Sequence, residues 1–538
     1  VRILIFHGYL LSGTGSNVYN ARLAEALVRL GHDVHLLCQD RRPERQSFVD
    51  AACDWDDGEL RLTELAAHTP DRQGRCVVYR PNIGGLLPVY VQDDYEGIEA
   101  KTFARCSDAE IDAYLDANVE AVREVAERVS PEVALANHLV MGPVILARAL
   151  SGETPYVVKV HGSALEYTVK PDPERFLGYA REGLARASGV LVGSRHTAAS
   201  LWEALGGEDG GTIQRRTRLG PPGVDVERFS PRDANQADTA MRDLQERLRA
   251  AAPTPAGERS SAFARDDAQA ADALARILES SGPLVAFVGK LIVSKGVDLL
   301  IAAWPLVLEA VPDARLVVIG FGAYRSALER LLARLADGDL EGVREIARAG
   351  RALEAHAAAS EGADTPVAAT PLGHLLAFID SLDGAQEDAY RVAARAVGER
   401  VVFTGRLDHE ELADVLPACE AMVVPSTFPE AFGMVAAEAA ACGALPVSAS
   451  HSGLAEVSEA IAAEVPAEAA AWLSFPVDDN AVRAIAGCVL GWLEADDELK
   501  ALTRSALVSV ARERWSWEGV ARGVIAAARG EPVARPFG

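Results

Sequence analysis

The feature that most constrains this chain is an alternation that runs through it twice. Short apolar segments end on a glycine or a His-Gly pair, and amphipathic helix patterns follow them. Residues 1–40 set the pattern. "VRILIF" stops at His7-Gly8, "GYLLSGTGS" is a glycine-rich loop, and "NVYNARLAEALVRLG" carries Leu23, Leu27 and Leu30 at helical spacing before Gly31. "HDVHLLCQ" then returns as a strand. Strand, tight loop, helix and strand in that order form a βαβ unit, which predicts a doubly wound parallel sheet. "EVALANH", "PYVVKVHG" and "ASGVLVGS" continue the rhythm, with a helix from about Pro143.

The rhythm breaks at "RLGPPGVDVERFSP", whose Pro-Pro-Gly suits neither a helix nor a central strand. It restarts at "GPLVAFVGK" and runs through "ARLVVIGFG", "RVVFTGR", "AMVVPS" and "ALPVSAS". The expected architecture is α/β, with two doubly wound Rossmann-like domains facing a cleft. The first domain takes residues 1–222, with a terminal helix at about 516–538 packing back on it. The second takes 223–515 and carries two insertions. Residues 232–281 are rich in Ala, Arg, Asp and Gln, which predicts an exposed helical or partly disordered segment. Residues 324–399 read as helical pieces around the loop "AAASEGADTPVAAT".

Size and charge agree with this division. At ~150 residues per domain, 538 residues make two or three. A net charge of −25 argues against general binding to nucleic acid or to an anionic membrane. An anionic ligand would therefore need basic residues gathered locally. The seven cysteines are odd in number and include no CxxC pair, so reduced thiols are expected rather than a disulfide framework or zinc site. With neither a signal peptide pattern nor an 18-residue apolar run, the expected location is cytoplasmic. Peripheral contact with the inner membrane face is left open, and so is a homo-oligomer.

Ligands of doubly wound sheets bind beyond the carboxyl ends of the strands. Four loops there carry candidates. Gly13 and Gly15 in "SGTGS" let backbone amides approach an anion at a helix N-terminus; a plain tight turn is the alternative. His161 follows a buried strand, where it can donate a hydrogen bond, carry a proton or simply bond backbone. Lys290 and Lys295 follow "LVAFV" five residues apart, in a chain that otherwise favours Arg. Two ammonium groups there suit a diphosphate, against the alternative of solvated lysines. In "FPEAFGMVAAEAAACG", Glu430 and Glu438 stand in an otherwise apolar or small-residue stretch. If it were helical throughout, eight residues would separate them by ~12 Å, about the span from the hexose to the ribose of a nucleotide-sugar.

In combination these segments resemble the retaining, family 4 type glycosyltransferases of GT-B fold. "EAFGMVAAE" resembles that family's E-x7-E motif, "KVHG" its central His-Gly, "VGKLIVSKGVD" its phosphate loop, and "RWSWEGVARGVI" its closing segment. The resemblance covers most of the chain except 232–281 and about 324–399. It implies that Lys290 and Lys295 bind the donor diphosphate, with Gly13, Gly15, Phe432 and Gly433 beside it. It places Glu438 on the ribose, Arg406 and Leu407 at the base, Glu430 on the transferred sugar and His161 at the reacting centre. Lys290 stands where the family usually has arginine, and the glycine loop is Gly-Thr-Gly rather than Gly-Gly.

The implied reaction moves a hexose from a UDP- or GDP-sugar to an acceptor hydroxyl with retention, on a small-molecule, glycan or lipid-linked acceptor. No cofactor or metal is expected. Residues 81–105, "PNIGGLLPVYVQDDYEGIEAKTF", are the expected acceptor region, with a cover for the sheet as the alternative. The competing readings are a non-catalytic or isomerising nucleotide-sugar binding protein of the same fold, and a phosphorylase.

Overall fold

A computed structural model describes residues 1–56, 58–65, 73–90, 99–251, 265–354 and 370–531. The chain divides into two compact units, Val1–Gly223 with Trp515–Gly538, and Val224–Arg514.

In the first unit, β1 (Arg2–Phe6), β2 (Asp33–Leu37), β3 (Ala51–Asp56), β4 (Glu59–Glu64) and β5 (Cys76–Arg80) build one half of a sheet. After a separate parallel pair, β6 (Leu86–Val89) and β7 (Glu99–Thr102), the other half follows as β8 (Val133–Asn137), β9 (Tyr156–Val160), β10 (Gly189–Val192) and β11 (Thr217–Leu219). The order among the described residues is β11-β10-β9-β8-β1-β2-β5-β3-β4, and all its pairings are parallel except β3 with β4. The strands read as unbroken apolar runs because helices cover both faces. Alternate residues of β1 show this: Leu4 and Phe6 join one core with Ile111, Leu115 and Ile145, while Ile3 and Ile5 join another with Leu23, Leu27 and Val524. Trp517 belongs to that second core, edge-on to Tyr19 at 5.5 Å between ring centroids.

The second unit holds β12 (Leu284–Val288), β13 (Arg315–Ile319), β14 (Val401–Gly405), β15 (Ala421–Val424), β16 (Leu445–Ala449) and β17 (Ser474–Phe475). They form a parallel sheet in the order β14-β13-β12-β15-β16-β17. The first five are the strands expected from the sequence. β17 is only two residues long, too short to leave an apolar pattern.

The segment expected to be exposed at 232–281 is packed instead. Helix Ala234–Ala250 buries Ala237, Met241, Leu244 and Leu248, and helix Asp267–Leu278 buries Ala270, Ala271, Ala273, Leu274 and Ile277. The two helices lie against each other, and the second lies against β14. Their apolar stripes are narrow, with few large residues in each, so overall composition misses them, whereas the i, i+4, i+7 spacing shows them. The first helix opens on a capping box between Asp233 and Gln236. Residues 252–264 lie outside the described residues.

The second expected insertion is helical where described, at Arg325–Ala336, Leu340–Ala349, Gly373–Asp380, Gly384–Ala394 and Val397–Arg400. Tyr390 ties it to the core by donating from Oη to the Ala302 carbonyl at 2.8 Å. Most of the expected "AAASEGADTPVAAT" loop falls outside the described residues.

Leu274 is fully buried. Leu274→Ala is expected to destabilise the second unit by ~3 kcal/mol, read as a lowered urea midpoint. An exposed tether would tolerate the change within ~0.5 kcal/mol, and that result would overturn the packed reading.

Candidate active site

A parallel sheet has a switch point where connections run outward in opposite directions from two neighbouring strands, and the loops part there. In the second unit that point lies between β12 and β15, since β13 and β14 extend one way and β16 and β17 the other. The loops leaving β12 and β15 are sewn together. Thr427 N donates to Ser294 O at 2.9 Å, and Gly296 sits so close that a Cβ there would lie 2.0 Å from Pro425 O. With φ at +64° as well, position 296 accepts only glycine.

This junction joins two of the residues singled out in the sequence. Lys295, in the 3-10 turn Val293–Lys295, forms an ion pair through Nζ with Glu430 Oε1. Ser426 Oγ donates to the same carboxylate oxygen at 2.6 Å. The Glu430 backbone is fixed too: its N–H donates to Ser452 Oγ at 2.9 Å, and its carbonyl accepts from Gly453 N at 2.9 Å. His451 Nε2 donates to Ser426 O at 2.8 Å and closes the network from β16.

Helix Met434–Ala441 begins after Glu430, with Gly433 as its N-cap and no side chain capping it. Glu430 thus lies before the helix and Glu438 inside it, as the sequence reads, and the ~12 Å that a helix throughout would give does not apply. Phe432 and Gly433 lie in the non-helical approach, beside the first amides of that helix. Their neighbour Gly453 packs with no room for a Cβ, which would lie 2.6 Å from the Phe432 Cα.

Glu438 lies inside the helix and is 1% exposed. Its Oε1 accepts from His409 Nε2 at 2.6 Å, while its Oε2 is buried with no partner. Arg406 and Leu407 follow β14. The Arg406 guanidinium lies 5.7 Å from the Phe321 ring centroid and pairs with Asp408 at 3.1 Å. Lys290 follows β12 directly. In the second unit, then, the loops after β12, β14 and β15 carry Lys290, Lys295, Arg406, Leu407, Glu430, Phe432 and Gly433, and the helix that follows β15 carries Glu438.

The switch point of the first unit lies between β1 and β8. Its strand ends carry three histidines in a row: His7 after β1, His138 after β8 and His161 after β9. Their rings follow one another, His7–His138 at 6.2 Å and His138–His161 at 4.9 Å between centroids. Asn137 Nδ2 donates to Phe6 O at 3.2 Å, so its Oδ1 is the atom that accepts from His161 Nε2 at 2.8 Å. That bond sets the tautomer, leaving Nδ1 as an acceptor. Of the roles open to His161 in the sequence, donation through Nε2 is thus already taken by Asn137.

Burial, then His138, Lys159 and His7, hold the His161 ring well below its ordinary pKa, so it is neutral at pH 7. His7 is bonded at both nitrogens, to Leu10 O and Asn17 Oδ1 through Nε2 and to Asn20 Nδ2 through Nδ1. Burial lowers it to about 4, against the opposing effect of the Leu10 and Asn17 bonds. His138 has no partner at either ring nitrogen and is packed against Tyr9, 5.4 Å away, and Tyr90, 4.5 Å away. Tyr90 and Pro88 come from the expected acceptor region; Tyr9 Oη donates to Pro88 O at 3.0 Å. Residues 91–98 of that region lie outside the described residues.

Gly13, with φ at +96°, and Gly15, the first residue of helix Gly15–Arg29, form the glycine loop. Thr14 is the N-cap of that helix, and its side chain caps no amide. A Cβ at Gly15 would meet nothing within 4 Å.

Sequence reasoning missed His7, Asn17, Asn20, Asn137, His138, His409, Ser426, His451 and Ser452. For His7 a signal was present, because "IFHG" repeats the strand-end His-Gly of "KVHG". The others are polar residues of a helix start, a strand end and loops, where no periodic pattern marks them. Among the described residues no group of His, Cys, Asp and Glu is placed to hold a metal ion, and no helix is long and apolar enough to cross a membrane. All seven cysteines are free.

Comparison with known proteins agrees with this architecture. Residues 14–210 match the glycosyl transferase 4-like domain, and residues 282–371 and 375–474 match two models described as glycosyl transferases group 1. The matched segments run across most of 324–399. A D-inositol 3-phosphate glycosyltransferase of Xylanimonas cellulosilytica is 27% identical over 300 residues, 55% of this chain and 49% of that protein. D-inositol 3-phosphate glycosyltransferase 1 of Catenulispora acidiphila is 37% identical over 150 residues, 26% of this chain and 34% of that protein. The chain thus spans half or less of the length of these curated relatives.

Among solved structures, sucrose-phosphate synthase from Thermosynechococcus elongatus superposes with a TM-score of 0.54 at 19% identity, covering 98% of each chain. HepE of Anabaena, in complex with UDP and glucose, gives 0.52 at 15% identity, covering 98% of this chain and 99% of that one. The fold is thus that of these GT-B structures, and three segments of the chain are similar to glycosyl transferase domains.

The His7 shift has a consequence for stability. Between the unfolded value of 6.5 and the folded value of about 4, the unfolded chain binds a proton that the folded chain refuses. Stability contributed above pH 6.5 is therefore lost as pH falls toward 4, at a cost of ~2 kcal/mol by pH 5. His7→Gln is expected to flatten the pH dependence of unfolding in the first unit by that amount. An unchanged slope between pH 7 and 5 in urea titrations would show that His7 is not buried neutral.

Proposed function

We propose that this protein is a retaining glycosyltransferase that moves a hexose from a nucleoside diphosphate sugar to an acceptor hydroxyl. The observation that carries the reading is the junction of Lys295 with Glu430 across the switch point of the second unit. A cation and a carboxylate meet there beside the uncapped start of helix Met434–Ala441. The cation and the helix amides suit a diphosphate, and the carboxylate suits sugar hydroxyls.

In this reading a diphosphate competes with Glu430 for Lys295. Once the ammonium turns to phosphate, Glu430 is left to the transferred sugar, still held by Ser426 and its fixed backbone. Lys290 adds a second charge. Glu438 takes the ribose, and Arg406 and Leu407 border the base. On the acceptor side, neutral His161 offers Nδ1 to a hydroxyl, and the loop of Gly13 and Gly15 supplies amides. Residues 81–105 contribute to the acceptor site through Tyr90.

Charge develops on the leaving diphosphate in the transition state, and the lysines with the helix amides stabilise it. The leaving phosphate takes the acceptor proton on the same face, which retains the anomeric configuration. This assignment needs no metal, because the two ammonium groups meet the developing charge. HepE of Anabaena, whose structure holds UDP and glucose, supports UDP as the first nucleotide to test.

Lys295→Ala is expected to lower kcat/KM by ~10²-fold, the cost of removing one stabilising charge. Glu430→Gln is expected to lower kcat more than it weakens nucleotide binding. The first measurement is a thermal-shift panel of UDP, GDP, ADP and their sugar conjugates, where a ligand at 100 times its Kd adds ~2.7 kcal/mol. NMR of the product then reads its anomeric configuration. If no nucleotide shifts the midpoint, the donor site is wrongly assigned. If one binds and no sugar is transferred or released, the protein is a nucleotide-sugar binder.

A further inference from the structure

Glu438 poses a problem of satisfaction. A carboxylate has room for about four hydrogen bonds, and a buried one ordinarily fills most of them. This one is nearly inaccessible, yet a single donor, His409, holds it by one oxygen, and Oε2 has none. No neighbour within its own helix can help, because Ala436, Ala437, Ala439, Ala440 and Ala441 surround it in sequence. The orphan oxygen needs donors from a ligand, or the burial is uncompensated.

His409 is itself held firmly. Its ring packs against Phe229 at 5.2 Å between centroids. The residues on either side are clamped: Asp408 N donates to Glu411 Oε2 at 2.7 Å, and Arg265 Nη2 pairs with Glu411 at 2.8 Å while its Nη1 reaches Asp408. Arg265 comes from the 232–281 segment, just before helix Asp267–Leu278. The segment that looked like a loose insertion thus braces the loop that presents His409.

We propose that His409 is a positioning residue for nucleotide recognition. Its Nε2–H fixes the rotamer of Glu438, so that Oε2 is presented to the vicinal hydroxyls of a ribose and the site discriminates ribonucleotides from 2′-deoxyribonucleotides. This rests on the assignment of Glu438 to the ribose in the proposed function. His409 touches neither sugar nor phosphate in this arrangement; it acts through the carboxylate. Without it, Glu438 loses the bond that orients it, and the ribose hydroxyls meet a carboxylate free to turn away.

The test is calorimetric titration of UDP, GDP and ADP, each beside its 2′-deoxy counterpart, into the full chain and three variants. For the nucleotide that binds best, the wild type is expected to favour the ribose form by about tenfold, the worth of one charge-assisted hydrogen bond. Glu438→Gln is expected to remove that preference. His409→Ala is expected to weaken the ribonucleotide about tenfold and leave the 2′-deoxy form unchanged. His409→Gln, whose amide N–H stands where Nε2–H stood, is expected to restore most of the preference.

Loss of affinity for both forms alike in His409→Ala would mean a structural role only and would overturn the proposal. So would a preference that survives His409→Ala but falls in Glu438→Gln, which would leave the ribose assignment standing. A preference unchanged in Glu438→Gln, or no binding by any of the three nucleotides, would overturn the ribose assignment and the inference with it.

Discussion

The organisation of the second unit depends on one close approach of backbone to backbone. At Gly296 the loop leaving β12 touches the loop leaving β15, and a single methyl group there would overlap a carbonyl oxygen. That contact spans the point where the sheet order reverses, the place where loops of a parallel sheet diverge. Because the two loops are sewn together at Thr427 and Ser294, Lys295 and Glu430 meet although they lie 135 residues apart in sequence. The chain carries 78 acidic against 53 basic residues, so its overall field repels an anion. Placing lysines at a strand end beside an uncapped helix start concentrates positive potential where the overall charge would otherwise repel the ligand.

Much of this was legible in the sequence because parallel sheets buried on both faces leave an unambiguous mark. The five apolar runs of the second unit became β12 to β16, and "VRILIF", "HDVHLLC", "EVALAN", "PYVVKV" and "GVLV" became central strands of the first. Once strand ends are known, the residues after them are known, which is how Lys290, Lys295, His161 and Glu430 were singled out. What stayed hidden depends on partners remote in sequence. Ser426 and Ser452 are unremarkable serines until β15 and β16 lie side by side. The narrow apolar stripes of helices Ala234–Ala250 and Asp267–Leu278 carry too little bulk to stand out, and their packing on each other and of the second on β14 explains them. The helix starts at Met434, as "MVAAEAAAC" after Phe432-Gly433 reads, but the shape of the loop before it, set by hydrogen bonds to Ser452 and from Gly453, has no mark in the sequence.

The first unit solves a different problem. Its strand ends carry imidazoles where the second unit carries ammonium and carboxylate groups, and burial keeps those imidazoles uncharged. A row of neutral rings has donors and acceptors without net charge. That suits a hydroxyl and gives no advantage to an anion. Asn137 shows how the surroundings choose between the two ring nitrogens. Its own orientation is dictated by the Phe6 carbonyl, which accepts only, and this one constraint passes through the amide to the His161 tautomer. Lys159, two residues before His161 on β9, is buried beside Tyr19 with its ammonium on Gly220 O, and desolvation lowers it to about 7. A charge held that weakly opposes protonation of the neighbouring ring, which reinforces the neutral state.

The two glutamates of "FPEAFGMVAAE" now separate by environment. Glu430 lies outside the helix, about a quarter exposed, with a cation, a hydroxyl and two backbone bonds around it. Glu438 lies one turn into the helix, dry, with one bond and one bare oxygen. A carboxylate paired with a mobile ammonium can exchange that partner at little cost, because solvent and ligand compete for the same charge. A carboxylate in a dry setting cannot exchange, and only a donor arriving from outside can complete it. The first arrangement suits a group whose partners change as a reaction proceeds; the second suits a fixed reader of shape. In the proposed function the same side chain, eight positions apart, thus serves turnover in one place and recognition in the other, and the difference lies in where the helix begins.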